Sequence, residues 1–198
     1  MTNLRHLVLI AIFGALWGAL ELSLGSALHA LDVPFSGLFL AGVGIAVALV
    51  GYRFTRRRGS VVQIGLVAAL LKAASIGGNV LMPMIGILAE ALIVETALAL
   101  TRGRARGSYV VAGACGTLWP LVHPFVTQGL LAGRGILTVW GWLLEDGMAL
   151  LGLPAEAALV IVGVLVAFHM AVGAVAGLIA WQTAERVVRR GGIQHAQP

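Results

Sequence analysis

The sequence predicts an all-α integral membrane protein with six transmembrane helices, both termini in the cytoplasm, and an interfacial helix or structured loop between spans five and six. Three observations predict it. The 198 residues are 60% hydrophobic and 11% charged. A soluble domain averages about 25% charged residues, so this chain has too little polar side chain to cover a water-facing surface. Long apolar runs recur along it, separated by short loops containing Pro, Gly or Arg. Arginines gather in alternate loops, the bias that marks cytoplasmic loops. All of residues 1–198 fall into a single membrane domain, and the 27 glycines suit closely packed spanning helices.

Span one is expected over 7–30. Its start is basic (Arg5), but its apolar run is longer than the ~7–15-residue core of a removable signal peptide, so it is taken as a retained helix. Pro34 and Gly37 end the loop that follows. Span two, 37–52, runs into Arg53, Arg56, Arg57 and Arg58. Span three, 60–76, is interrupted by Lys72; Gly77, Gly78, Asn79 and Pro83 then mark a turn or irregular loop. Span four, 84–100, carries Glu90 and Glu95 and leads to Arg102, Arg104 and Arg106. Span five, 109–131, contains Pro120 and Pro124, each of which removes a helix hydrogen bond, so a kink or break is expected there. Residues 133–153 mix apolar side chains with Glu145 and Asp146, and Trp140 and Trp142 favour a membrane–water boundary. Span six, 156–181, is followed by Arg186, Arg189 and Arg190.

With the N-terminus inside, the arginines of the loops after spans two and four and of the tail are cytoplasmic. The outer loops then hold Arg134 against Asp32, Glu145, Asp146 and Glu156. The net charge of +5 is therefore read as a topology determinant and not as a nucleic-acid surface. Cys115 is the sole cysteine and lies in an apolar run, so neither an internal disulfide nor a cysteine metal site is expected. No internal repeat is evident.

Depth can be estimated from the ~1.5 Å rise per helical residue. Glu21 falls ~21 Å from the inner end of span one, Lys72 ~18 Å from that of span three, and Glu90 ~9 Å below the outer end of span four. In a ~30 Å hydrocarbon core they share one layer in the outer half. His123 falls there too, and His29 and Asn79 sit just above. Each charge buried in lipid costs at least ~2.5–3.5 kcal/mol, and pairing Lys72 with Glu21 or Glu90 relieves part of it. The layer reads either as a salt-bridge network binding the bundle together or as a small-molecule pocket open to the outside. Trp17, one turn below Glu21, and Trp119, one turn below His123, either wall that pocket or pack in the core. Glu95 lies deeper, as scaffold or as a link to the inner side. His169, alone in span six, reads as a hydrogen-bonded helix contact.

Catalysis has little support. The chain has no G-x-S-x-G elbow, no H-E-x-x-H helix and no Walker-type loop. Ser26 and His29 stand one turn apart without a placed acid. A metal site from His29, His123 and His169 lacks local ligand spacing. No catalytic residue, resident metal or cofactor is expected, and the chain is not read as an enzyme.

The first helix carries a small-residue stripe, Ala11, Gly14, Ala15, Gly18 and Ala19, of the kind that lets another helix approach closely. The six spans, the length, the inside termini and Ala11-x-x-x-Ala15-x-x-x-Ala19 together resemble the substrate-binding (S) component of energy-coupling factor (ECF) transporters. That resemblance implies a prokaryotic inner-membrane protein whose Ala11, Ala15 and Ala19 dock on the transmembrane coupling (T) protein, with two cytoplasmic ATPase subunits supplying the energy. It implies a vitamin, cofactor precursor or metal ion as substrate, captured near the outer face by later spans and outer loops. Cobalamin-transporting relatives that work alone are similar in size. The residues expected to bind substrate are Glu21, Lys72, Glu90, His123, Trp17, Trp119, His29 and Asn79. The competing readings are a stand-alone secondary transporter with Glu90 or Glu95 carrying a proton, an intramembrane enzyme acting on a lipid, and an assembly scaffold.

Overall fold

A computed structural model describes residues 2–31, 33–74 and 81–190, apart from the side chains of Thr2, Asn3 and His29. The elements are α1 (Thr2–Ala30), α2 (Ser36–Thr55), α3 (Ser60–Ala73), α4 (Leu81–Leu100), α5 (Arg106–Gly116), α6 (Trp119–Pro124), a π-helical stretch (Phe125–Leu131), α7 (Ile136–Leu151), a 3-10 turn (Ala155–Ala157) and α8 (Ala158–Arg190). No strand occurs among the described residues. Five helical stretches are long and apolar enough to cross a membrane: 4–28, 36–55, 81–100, 106–131 and 155–190. Their outward faces are apolar, with Leu100, Leu137 and Leu159 all more than 80% exposed. A continuous apolar exterior of this kind needs lipid around it. The protein is therefore a helical membrane protein.

Span three is shorter than the others. α3 has 14 residues, a rise of ~21 Å, and the Ala74 amide closes its last turn on the Leu71 carbonyl at 3.0 Å. It nonetheless packs along α1 and α4 in the middle of the bundle. The expected extension of this span to residue 76 lies outside the described residues.

Span five is broken as its prolines dictate. Pro120 has no N–H to give the Gly116 carbonyl, so α5 stops at Gly116 and a new turn starts at Trp119. Pro124 repeats the defect. The chain beyond it widens to π-helical geometry, in which the Ala132 amide donates to the Thr127 carbonyl at 2.9 Å. The stretch expected at the membrane boundary is a 16-residue helix, α7. It rests on the π stretch through Val139, against Gly129, and on α8 through Gly147, against Ile161. Glu145, Asp146, Leu137 and Leu150 stay exposed.

The core is filled by Trp17, Ile45, Leu49, Ile64, Val94, Leu98 and Tyr109, all almost fully buried. The closest helix pair is α5 with α8. A Cβ on Gly113 would strike the Gly173 backbone, and one on Gly177 would strike the Tyr109 carbonyl. Glycine is therefore required at this crossing, as in small-residue helix interfaces generally. Thr117 Oγ1 adds a hydrogen bond across it to the His169 carbonyl at 2.7 Å. On α1 the small-residue stripe splits in two. Gly14 and Gly18 sit tightly under Val67 and Leu71 of α3, whereas Ala11, Ala15 and Ala19 are exposed on the outer face.

The connections place the arginines together. Arg53 at the end of α2 pairs with Glu185 of α8, and Phe13 of α1 stacks on Phe54 of α2. Gly103, between α4 and α5, lies against the Tyr52 ring. One end of the bundle thus holds every Lys and Arg except Lys72 and Arg134.

Candidate functional site

The polar side chains of the opposite half come from helices that the core packing brings together. Lys72 of α3 reaches back to α1, where its Nζ lies 3.9 Å from a Glu21 carboxylate oxygen and donates to the Glu21 carbonyl at 3.3 Å. Both side chains are largely buried, at 16% and 10% exposure. Glu90 of α4 is also buried and lies near Glu21. No described residue gives its carboxylate a hydrogen bond. Lys72 thus pairs with Glu21 alone among the described residues, and Glu90 lies beside that pair in a low-dielectric interior, where an unpaired carboxylate is costly.

The expected layer is thus partly assembled. Glu21, Lys72 and Glu90 come together. Trp17 is instead a core residue, 1% exposed and seated on Gly44 and Gly65 of the neighbouring helices. Its indole Nε1 faces toward Glu21 without reaching hydrogen-bond geometry. Trp119 and His123 pack together on α6, edge to face, against Gly86 of α4, one helical turn from Glu90. His123 Nε2 donates to the Met82 carbonyl at 3.3 Å, while Trp119 Nε1 is buried without a partner among the described residues. The His29 side chain and Asn79 lie outside the described residues.

The other face of α6 looks into a cavity of about 580 Å³. Pro120 and Pro124 of α6, Phe35 of the α1–α2 loop, Asp146 of α7 and His169 of α8 line it. Phe35 is held in the left-handed region at φ 58°, a conformation that a side chain of this size rarely adopts. The ring is thereby placed across the cavity, in edge contact with Phe168 and His169. His169 is buried, and its Nδ1–H donates to the Leu165 carbonyl at 2.8 Å. The helix contact expected of His169 is thus present, but the residue also borders a cavity, a role that its place in the sequence did not signal. α6 is a partition: Trp119 and His123 face the charged layer, and the prolines face the cavity.

Glu95 has a structural task. Its two carboxylate oxygens accept the backbone amides of Gly59 at 2.7 Å and Val61 at 2.9 Å, so α4 caps the start of α3 from outside. No group of three or more His, Cys, Asp or Glu that could hold a metal occurs among the described residues. Comparison of the chain with family models, with curated proteins and with solved structures returns no match.

Proposed function

We propose that the protein is the substrate-binding membrane subunit of an ECF-type importer of the prokaryotic inner membrane. It takes a vitamin, cofactor precursor or similar small molecule from outside. A coupling protein and two ATPase subunits provide the energy. The observation that supports this reading best is the cavity beside α6. Its volume, about 580 Å³, lies in the range of small-molecule sites, ~300–1,000 Å³. Its wall is mainly apolar and aromatic with two convergent polar groups, Asp146 and His169, the usual make-up of such a site. It lies at the end away from the arginines, which the positive-inside bias puts outside the cell. The exposed Ala11, Ala15 and Ala19 leave a flat helix face for a coupling partner.

Native mass spectrometry of the purified protein tests this. The expected result is a co-purifying small molecule that is lost in Phe35→Ala and weakened in Asp146→Asn. A second reading rests on Glu90, whose buried carboxylate lacks a partner among the described residues: a stand-alone transporter in which Glu90 carries a proton. Uptake by proteoliposomes containing this protein alone, abolished by Glu90→Gln, would establish the second reading and overturn the first.

A further inference from the structure

At the arginine-rich end the bundle opens into a second cavity, of about 830 Å³. Arg53, Arg56, Arg58, Arg102 and Arg104 line it, with Tyr109, Tyr52 and Trp181 among its aromatic walls. Positive loops at one end of a membrane protein ordinarily report only its orientation. Three features of this cavity go beyond that.

The first is the state of its buried donors. Arg53 Nε and Nη2 both donate to Glu185 Oε1, at 3.1 and 2.6 Å, and its guanidinium lies 5.7 Å from the centre of the Trp181 ring. Its Nη1 is buried and has no partner among the described residues. Tyr109 is 0% exposed, and its hydroxyl is likewise buried and unpartnered among the described residues. Buried polar groups are nearly always satisfied, so two unsatisfied groups from residues lining one cavity call for an acceptor there. The second is the charge balance. Of the nearby acids, Glu185 is held by Arg53 and Glu95 by two backbone amides. Glu95 itself lines the cavity and keeps its charge, so two nearby carboxylates stand against five arginines, and Arg56, Arg58, Arg102 and Arg104 form no ion pair among the described residues. The third is backbone geometry. Arg56 and Arg102 occupy the left-handed region at φ 47° and 65°, where glycine is the usual residue. Between Arg102 and Arg104, Gly103 lies flat on Tyr52, where a Cβ would clash. The turn that brings these two arginines to the cavity is thus tied down on the aromatic wall.

We propose that this cavity binds a phosphate-bearing group. A phosphate offers several charged acceptor oxygens, which suit guanidinium forks and a tyrosine hydroxyl at once. The group would come either from an anionic phospholipid whose headgroup enters from the leaflet or from a soluble phosphate compound.

The full-length protein allows a direct test with two probes. Pyrophosphate binding is measured calorimetrically in neutral detergent. Retention of phosphatidylglycerol over phosphatidylcholine is measured by native mass spectrometry after purification from a mixture of the two. Arg102→Ala with Arg104→Ala should weaken the bound probe on the order of tenfold or more, the loss expected for charge-assisted contacts. Tyr109→Phe, which removes one oxygen and preserves the packing, should weaken it severalfold. Arg189→Ala with Arg190→Ala removes the same charge from the same end of the bundle and should leave binding within about twofold. Pyrophosphate binding identifies the soluble source, and selective phosphatidylglycerol retention alone identifies the lipid. Binding of neither probe overturns the proposal. So does an equal loss in the two double-arginine variants, because the attraction would then be a general property of the charged end.

Discussion

The two polar regions of the bundle hold opposite surpluses. At the arginine end cations are many and the acids are already taken: Glu185 by Arg53, Glu95 by the amides of Gly59 and Val61. Around Glu21 charges are few: Lys72 pairs with Glu21, and Glu90 lies nearby with no cation of its own among the described residues. The first region borders a roomy cavity at a helix-end surface where water and headgroups can reach it. The second is packed among helices. The contrast teaches that the number of charges is a poor guide to what a region needs. Several neighbouring arginines at an interface cost little, whereas one spare carboxylate in the interior is expensive.

The largest effect should come from taking away the lysine that pairs with Glu21. Lys72→Met leaves Glu21 without its cation, beside Glu90, and should lower stability by about 3–5 kcal/mol, the usual cost of breaking a buried pair. Thermal unfolding in detergent measures it. Adding Glu21→Gln to that variant should recover most of the loss; an unchanged melting temperature for Lys72→Met would mean that the pair is not structural. A smaller effect is expected where the arginine end is held by a partly exposed pair. A double-mutant cycle on Arg53 and Glu185 should return about 0.5–1 kcal/mol, falling further in high salt. The smallest stability effect belongs to the outer face of α1. Ala15→Leu should leave unfolding within about 0.5 kcal/mol of the parent, because Ala15 is exposed, and yet should block uptake if that face docks on a coupling protein. Unimpaired uptake would remove the docking role.

The helices were legible in the sequence because apolar runs and their breakers act locally. Pro120 and Pro124 end one helix and distort the next through their own missing donors, whatever surrounds them. The meeting of Glu21, Lys72 and Glu90 was legible as well, because helix rise converts sequence position into depth. Depth carries no information about direction around a helix axis. That is why Trp17, at the right height, turned out to fill the core between α1, α2 and α3, and why Trp119 and His123 face α4 while Pro120 and Pro124 of the same short helix face a cavity. Glu95 illustrates a second limit. Its role is set by two amides more than thirty residues earlier in the chain, and neither leaves a mark in the sequence around Glu95. The arginine cavity was hidden for a different reason: its arginines already had an explanation in topology, and only the unpartnered Tyr109 hydroxyl and Arg53 Nη1 ask for another.

The crossing of α5 and α8 has a mechanical consequence. Gly113, Gly173 and Gly177 bring main chain against main chain, and Thr117 binds across to the His169 carbonyl, so at this crossing the two helices touch without side chains between them. They behave as a single beam, and α8 alone is 33 residues long, a rise of ~50 Å. Tyr109 and Trp181 sit at one end of that beam and His169 toward the other. A tilt imposed at the arginine end would therefore reach the far cavity as a lever carries it, by rotation of a stiff body and not by relay from one side chain to the next.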